Sequence, residues 1–184
     1  MMIRELTHAD FDAVIALGEI VHGSGYMDID ELTAIYYKGI KHGINANFVA
    51  IENDQLIGFR LTYAAGQWPQ DQWCTVDKWG IAFEDVCYFK SNTIAKSARG
   101  KGLGGQLLAA SKTAVIAQGA KAGVSHLWQQ SPNNAAVRYF TKAGGQLIAE
   151  HPQRWHQRYM GEEYMCVICD HDCHCVACEM LLVF

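Results

Sequence analysis

The amino-acid sequence predicts an α/β fold, and three observations support this prediction. The chain has 184 residues, half of them apolar and 18% charged, which suits one globular domain with a substantial core and argues against disorder. Apolar runs of strand length alternate along the chain with longer runs of helical period. A glycine-rich loop separates one such strand from one such helix. We therefore expect a single domain over residues 1–184.

The first part of the chain predicts one strand and two helices. Met2–Leu6 has the length and composition of a short strand. Thr7 is a suitable N-cap for a helix over His8–Glu19, whose apolar residues fall largely on one side. After a glycine-containing loop, either Asp28 or Asp30 is expected to cap a second helix over about Asp30–Lys41.

The remaining elements continue the alternation. Phe48–Glu52 and Gln55–Tyr63 flank the turn pair Asn53-Asp54, which predicts a hairpin. Ala65–Gly80 is irregular and rich in tryptophan. Beyond it the sequence predicts, in this order, a strand over Phe83–Ala95, a helix over Leu103–Gln118, a strand over Val124–Gln130, a helix over Asn134–Ala143, and strands over Gln146–Glu150 and Cys175–Phe184.

Composition and charge exclude several classes of function. A net charge of −4 argues against a general nucleic-acid binder. The longest apolar runs are far shorter than the roughly 20 residues that a membrane span requires, so we expect no membrane association. The first residues do not begin a signal peptide, which predicts a cytoplasmic location.

The most informative segment is the loop Arg99–Gly105, which contains four glycines. It precedes a predicted helix, so its backbone N–H groups lie where the helix dipole adds about half a positive charge. Such a loop binds anions, and Arg99 and Lys101 add positive charge beside it. The loop therefore predicts a phosphorylated ligand.

Three phosphate-binding designs and one plain alternative compete for this loop. Gly100, Gly102 and Gly105 satisfy the dinucleotide pattern, but the ribose-binding acid expected about 20 residues later is absent. A P-loop would need a Gly-Lys-Ser/Thr ending that this loop lacks. An ordinary glycine-rich turn before a helix also fits the loop taken alone.

Two spaced motifs extend the pattern. Arg99-x-x-Gly102-x-Gly104 resembles the acetyl-CoA signature Gln/Arg-x-x-Gly-x-Gly/Ala of the GNAT superfamily of acyl-CoA N-acyltransferases. The second motif of that superfamily is similar to a run some thirty residues further on, Asn133-x-x-Ala136-x-x-Tyr139-Phe140-x-Lys142-x-Gly144. The resemblance covers about residues 86–146.

This resemblance implies a fold, an activity and a set of site residues. The fold is a mixed, twisted, mostly antiparallel sheet flanked by helices on both faces, and the activity is transfer of an acetyl group from acetyl-CoA directly to an amine. The strands on either side of the loop would splay apart to admit the pantetheine arm. The cofactor contacts it implies are Ile94, Lys96, Arg99, Gly100, Lys101, Gly102, Leu103, Gly104, Asn133 and Phe140.

The catalytic residues implied by the resemblance are incomplete. The tyrosine that commonly protonates the departing thiolate is replaced by Phe140, and Tyr139 is adjacent to it. The position where the family often places a carboxylate base is Tyr88. Glu84 and Asp85 lie earlier on the predicted strand and can act through water.

Two histidines and the aromatic segments are further candidates for the active site. His22 and His126 titrate near neutral pH and are alternative bases. Aromatic residues of two segments can form a face for an amine or can simply pack the loops onto the body; they are Trp68, Trp73, Trp79, Trp155 and Tyr159.

Five of the seven cysteines are clustered between residues 166 and 178, at Cys166, Cys169, Cys173, Cys175 and Cys178. Such a cluster suggests a zinc site. However, the two Cys-x-x-Cys pairs are close together, and strand alternation points Cys175 and Cys178 to opposite faces. We therefore expect buried free thiols and no metal.

The sequence thus predicts an N-acetyltransferase that uses acetyl-CoA and a small-molecule or peptide amine. The alternative is a non-catalytic acyl-CoA-binding or sensory module, which the phenylalanine at 140 and the tyrosine at 88 favour. A homodimer is compatible with either interpretation.

Overall fold

The computed structural model describes all 184 residues and contains one seven-stranded sheet at its centre. The strands of this sheet are β1 (Met2–Glu5), β4 (Phe48–Glu52), β5 (Gln55–Tyr63), β6 (Val86–Ile94), β7 (Ala122–Trp128), β8 (Gln146–Pro152) and β9 (Val176–Val183). Two short strands, β2 (Ile40–Lys41) and β3 (Ile44–Asn45), form a separate hairpin. The helices are α1 (Phe11–His22), α2 (Ile29–Lys38), α3 (Leu103–Ala117), α4 (Ala135–Lys142) and the single turn α5 (Gln157–Met160).

The strands lie in the order β1-β4-β5-β6-β7-β9-β8. Only the β6–β7 pair is parallel, and every other neighbouring pair is antiparallel. Helices α1 and α2 pack on one face of the sheet, and α3 and α4 pack on the other. The predicted fold class, a mixed and mostly antiparallel sheet with helices on both faces, is therefore confirmed. No helix in the chain is both long and apolar enough to span a bilayer.

Strands β6 and β7 pair only at their beginnings. The ladder joins Val86–Tyr88 to Ala122–Val124 and goes no further. A β-bulge at Lys90 explains the divergence, since Leu61 of β5 pairs with Ser91 whereas the next residue, Thr62, pairs with Phe89. A bulged strand bends, so β6 leaves β7 and remains attached to β5 alone. The divergence opens a gap in the middle of the sheet.

Two predicted features are present in the structure, the hairpin turn between β4 and β5 and the aspartate cap of α2, and both are explained by the side chains at those positions. Asn53 and Asp54 have φ of 51° and 60°, the left-handed pair that a tight hairpin turn requires and that Asn and Asp tolerate. The helix α2 is capped by Asp28, whose Oδ1 accepts a hydrogen bond of 2.8 Å from the N–H of Glu31.

The first predicted helix begins later than expected. His8–Asp10 forms a 3₁₀ turn, and α1 follows from Phe11. The cause is Asp10, whose carboxylate accepts hydrogen bonds from the N–H and hydroxyl of Thr7, both at 2.9 Å. It also pairs with Arg4 at 2.7 Å. The hydrogen bond from Arg4 is the main reason that the pKa of Asp10 falls to about 2.

The strand predicted over Phe83–Ala95 was wrong at its beginning. Phe83–Asp85 forms a 3₁₀ turn, closed by a hydrogen bond from the N–H of Asp85 to the carbonyl of Ala82, and β6 begins at Val86. Glu84 and Asp85 are therefore not strand residues. The hairpin of β2 and β3 was not predicted at all, because two-residue strands leave no periodic pattern.

The loop between β5 and β6 is held down by a carboxylate buried in β9. Glu179 is fully buried and accepts four hydrogen bonds, which come from the Thr75 N–H at 2.8 Å, the Thr75 hydroxyl at 2.6 Å, Trp79 Nε1 at 2.7 Å and His151 Nε2 at 2.8 Å. Burial alone raises the pKa of Glu179, but these donors outweigh it and lower the pKa. The ionised carboxylate thus fixes the loop to the sheet.

We predict that Glu179→Ala lowers the free energy of unfolding by roughly 3 to 5 kcal/mol, since it leaves one buried and three partly buried donors without an acceptor. Urea denaturation measures this change. Glu150→Ala is the matched control, because Glu150 is exposed on the neighbouring strand β8, and it should change stability by less than about 0.5 kcal/mol. Equal losses from the two variants would contradict the role given to Glu179.

Candidate functional site

The gap between β6 and β7 opens into a cavity of about 490 Å³, a volume typical of small-molecule sites. At one end lies the glycine-rich loop before α3. At the other end lie the end of α1, strand β7 and the long segment between β8 and β9. A single cavity therefore joins the anion-binding loop to a second chamber.

The backbone of the glycine-rich loop is arranged for an anion. The five N–H groups from Gly100 to Gly104 donate no hydrogen bond within the chain. Gly100 and Gly102 have φ of 78° and 76°, and open space surrounds the position of a side chain at either. Arg99 Nε donates to the carbonyl of Ile94 at 3.2 Å, which anchors the loop to the end of β6. Convergent free amides at the start of a fifteen-residue helix form an anion site.

The structure brings together most of the predicted cofactor residues. The predicted residues that line the cavity are Ile94, Arg99, Gly100, Gly102, Leu103, Gly104 and Asn133. Lys96, just before the loop, and Lys101, within it, are exposed and do not line the cavity. The buried Asn92 Oδ1, which has no hydrogen-bond partner, also faces this region. These groups fit a ligand that carries phosphates and hydrogen-bonding amides.

Helix α4 places Tyr139 in the cavity and Phe140 outside it. Phe140 is fully buried against Phe89, with ring centroids 5.9 Å apart, and it does not line the cavity. Tyr139 Oη accepts a hydrogen bond of 2.8 Å from Arg60. Because an arginine only donates, the hydroxyl proton of Tyr139 is left available to a ligand.

Tyr88 and His126 form a hydrogen-bonded pair in the cavity wall. Tyr88 Oη lies 2.9 Å from His126 Nδ1, and His126 Nε2 lies 2.7 Å from the carbonyl oxygen of Trp73. A carbonyl can only accept, so Nε2 carries the proton and Nδ1 accepts from Tyr88. The lone pairs of the Tyr88 oxygen therefore stay available to a proton from a bound ligand.

Burial keeps this pair neutral. Burial first, and the positive charge of Arg154 second, lower the pKa of His126 to about 4. Burial also raises the pKa of Tyr88 to about 12. At neutral pH the pair is therefore an uncharged phenol that donates to an uncharged imidazole.

The second histidine candidate belongs to a different network. His22 Nε2 lies 2.8 Å from the hydroxyl of Thr93, and its ring stacks on Tyr26 at 4.3 Å. Tyr26 in turn donates to Ser91 at 2.9 Å. Burial lowers the pKa of His22 to about 4. This network lines the second chamber and is uncharged at neutral pH.

Other predicted residues lie away from the cavity. Glu84 and Asp85 do not line it, and Asp85 instead pairs with Lys121 at 2.7 Å. Trp68 and Trp79 are buried in the core. Of the predicted aromatic residues, Trp155 alone lines the cavity, whereas Trp73 and Tyr159 pack against each other at 5.0 Å.

The charged side chains that line the cavity are all basic: Arg60, Lys90, Arg99, Arg138 and Arg154. No aspartate or glutamate lines it. The guanidinium of Arg154, at the second chamber, reaches Asp71 at only 3.4 Å, and its buried Nε has no partner. Both ends of the cavity therefore favour ligand groups with negative charge.

Two side-chain clusters have the composition of metal ligands. His126, His151 and Glu179 lie close together, but hydrogen bonds already use Glu179 and both nitrogens of His126. The other cluster is Cys166, Cys169, Cys173 and Cys175, whose sulfurs all lie within 4.8 Å of one another. The expectation of no metal was based on Cys175 and Cys178 as the second cysteine pair. In the structure the second pair is Cys173 and Cys175, and Cys178 lies outside the cluster.

Several residues of the cavity could not be found from the sequence. Arg60 and Asn92 come from strands that read as ordinary core, and Arg154 and Tyr164 come from an irregular segment. Arg60 was the one available signal, because an arginine inside an apolar strand pattern is expected to be buried, and a buried arginine is rare and needs a partner. The others depend on contacts distant in sequence.

Comparisons with known proteins agree with this geometry. The family model "Acetyltransferase (GNAT) family" matches residues 16–145. An N-acetyltransferase from Staphylococcus aureus Mu50 is similar in structure with a TM-score of 0.68 and 21% identity, over 99% of this chain and 97% of that one. The protein yncA of Salmonella typhimurium, solved with its cofactor acetyl-CoA, gives a TM-score of 0.66 and 22% identity, over 100% and 93%.

A third similar structure is the ribosomal-protein-alanine N-acetyltransferase of Brucella melitensis, with a TM-score of 0.68 and 16% identity over the full length of both chains. A search of curated protein sequences finds no match. At these identities the structural matches establish the fold, and the family model establishes the family.

Proposed function

We propose that this chain, which belongs to the acetyltransferase (GNAT) family, transfers an acetyl group from acetyl-CoA to an amine that also carries a negatively charged group. Family membership supports the acetyl-CoA N-acetyltransferase activity in general. The residues that bind and react, and the class of acceptor, rest on the cavity itself.

One observation carries the assignment of the cofactor site. Five consecutive backbone N–H groups without an acceptor, Gly100 to Gly104, belong to the loop that lines one end of a cavity whose middle is the gap between two strands. The loop amides would hold the pyrophosphate, and the unpaired edge of β6 would hold the pantetheine arm. Bound acetyl-CoA supplies a thioester as the acyl donor. The acceptor would then enter from the second chamber.

The Tyr88–His126 pair provides a route for the amine proton. As the new N–C bond forms, the attacking nitrogen becomes acidic and must lose a proton. Tyr88 Oη can accept that proton while its own proton passes 2.9 Å to His126 Nδ1. The imidazolium so formed keeps its Nε2–H on the carbonyl of Trp73. This pair takes the place of the carboxylate that the sequence lacks at position 88.

Tyr139 is the proposed proton donor to the departing thiolate. It lines the cavity, and Arg60 donates to its oxygen at 2.8 Å. Phe140, which replaces the tyrosine of the family motif, is core and takes no part.

The acceptor class follows from the charges in the cavity. In the second chamber a polyamine would meet Arg154 and no carboxylate in the lining, which disfavours it by like-charge repulsion. An amino acid, or another amine with a carboxylate, can place that carboxylate on Arg154. Neutralising Arg154 would also remove part of the positive field that lowers the pKa of His126, which strengthens the base when acceptor is bound.

The alternative function is a non-catalytic acyl-CoA-binding module. It predicts the same binding of acetyl-CoA with no turnover of any amine. An assay of acetyl transfer across amines and amino acids, run beside calorimetry with acetyl-CoA, separates the two. Tight binding without product in any reaction would favour the alternative.

The first prediction concerns the glycine-rich loop. Gly102→Asp should weaken the binding of CoA by at least about tenfold relative to Gly102→Asn, because the added carboxylate repels the pyrophosphate. Asn is nearly isosteric with Asp and tolerates the same left-handed backbone, so the pair isolates the charge. Calorimetry gives both Kd values, and equal values would contradict the site.

The second prediction concerns the proton route. Tyr88→Phe should lower kcat about 100-fold and leave the Kd of CoA unchanged, since the ring still fills its position. Tyr63→Phe is the control, because Tyr63 is buried nearby with ring centroids 6.2 Å away but does not line the cavity. A Tyr88→Phe enzyme with unchanged kcat would exclude this route.

The third prediction concerns the acceptor. The wild type should have a higher kcat/KM for an amino acid than for the same molecule without its carboxylate, and Arg154→Gln should reduce that preference by about ten- to 100-fold. Arg158→Gln is the control, because Arg158 is exposed and lies outside the cavity lining. A wild type that prefers the decarboxylated amine would contradict the proposed class.

A further inference from the structure

The long segment between β8 and β9 has little that could hold it folded. From Gln153 to Cys175 its only helix is the four-residue α5. Four of its apolar side chains are largely exposed: Tyr159, Met165, Val167 and Ile168. Its own buried cluster contains just Tyr164 and three cysteines. Irregular segments of this length are uncommon in compact domains, and small units without a core usually need a covalent or metal staple.

The four sulfurs of this segment have the spacing of a metal site. Cys169 Sγ lies 3.8 Å from Cys175 Sγ, and Cys166 Sγ lies 4.0 Å from the same atom. Every pair among these three and Cys173 is within 4.8 Å. A zinc ion with sulfur ligands at about 2.3 Å requires sulfurs about 3.8 Å apart at the corners of a tetrahedron. The observed distances are close to that value.

The backbone presents the first two cysteines as a pair. Cys166 and Asp170 exchange two hydrogen bonds of 3.0 Å between their N–H and C=O groups. The loop that they close contains Cys169, and it ends in the left-handed residue Asp170, with φ of 55°. The N–H of Ile168 points to Cys166 Sγ at 3.5 Å. An N–H group directed at sulfur stabilises a metal-bound thiolate.

The second pair is fixed by the sheet. Cys175 directly precedes β9, and its carbonyl accepts a hydrogen bond of 3.0 Å from the N–H of Gln153 at the end of β8. Cys173 is fully buried two residues earlier. Cys178, three residues further along the chain, lies within β9 and outside the cluster. The four cysteines thus form two pairs: Cys166 and Cys169 lie in one closed loop, and Cys173 and Cys175 lie just before β9.

We propose that Cys166, Cys169, Cys173 and Cys175 bind one structural zinc ion. Binding of Zn²⁺ displaces the thiol protons to solvent and forms four Zn–S bonds, so no oxidant or reductant is needed. With four protein ligands the coordination is complete, which is typical of a structural rather than a catalytic site. All seven cysteines are free thiols in this structure.

The zinc site would shape the acceptor end of the cavity. Cys166, Cys173 and Cys175 line it beside Tyr164. The segment also docks on the loop after α1, where the N–H of Met165 donates to the carbonyl of Ser24 at 3.1 Å. At Gly23 a side chain would collide with the carbonyl of Met165. Folding of the segment around zinc therefore holds one wall of the second chamber in place.

Metal analysis of the reduced protein, produced without a metal-affinity tag, tests this proposal without any assay of acetyl transfer. We expect about one zinc per chain, and a lower Tm after a chelator removes it, since the binding energy of a structural metal is folding energy. Replacement of zinc by Co²⁺ should give the intense visible absorption of a tetrahedral thiolate complex. Zinc well under one per chain, with a Tm that neither chelator nor added Zn²⁺ changes, would overturn the proposal.

Substitutions identify the ligands. Cys169→Ser and Cys173→Ser should lose most of the zinc and the chelator-sensitive part of the Tm. Cys178→Ser is the matched control, because Cys178 is buried and close in sequence but outside the cluster, and it should keep one zinc. If a ligand variant does not fold, titration of the wild type with a thiol reagent gives the same information, since zinc should be released as four thiols react. Zinc retained by Cys169→Ser, or disulfides among the four cysteines, would overturn the ligand set.

Discussion

The loss of pairing between β6 and β7 after Tyr88 is the constraint on which the site depends. Backbone N–H and C=O groups in a buried sheet need partners, and each strand keeps one partner, since β6 stays bonded to β5 and β7 to β9. The sheet can therefore open in its middle without losing either half. The inner edges that this leaves border the cavity, so a ligand that adds hydrogen bonds there completes the sheet.

The walls of this opening are fixed by buried polar groups rather than by apolar packing alone. Glu179 fixes the loop that carries Trp73, and the carbonyl of Trp73 sets the tautomer of His126. The tautomer of His126 in turn directs the hydroxyl of Tyr88. A carboxylate on the neighbouring strand β9, directly opposite His126 in the ladder, thus helps to fix the direction of the hydrogen bond between Tyr88 and His126. Each link is a buried or partly buried hydrogen bond, and a buried polar group without its partner is costly.

The sequence predicted the parts of the molecule whose signals are local. Three such features are present in the structure: the hairpin turn at Asn53-Asp54, the cap of α2, and the glycine-rich loop Arg99–Gly105 with its free backbone amides. Each depends only on residues that are close together in the sequence. The Tyr88–His126 pair joins residues 38 positions apart, and neither residue has a spacing that could reveal the other. Glu84 and Asp85 were predicted wrongly from a local signal. Their segment has the composition of a strand but forms a 3₁₀ turn, so neither residue belongs to β6.

The cysteines show why spacing rules fail where a chain changes from loop to strand. Cys178 lies outside the cluster of Cys175, as expected, but alternation governs only residues inside β9, and Cys175 precedes that strand. The loop before β9 brings Cys173 and the Cys166–Cys169 pair to the sulfur of Cys175. The glycine-rich loop is formed by the residues at the start of one helix. The cysteine cluster forms only when the start of β9, the loop closed by Cys166 and Asp170, and the connection between them come together. The two ends of the cavity therefore differ in how they are built: the glycine-rich end is encoded by the seven adjacent residues Arg99–Gly105, and the second chamber by contacts that form only when the segment after β8 folds.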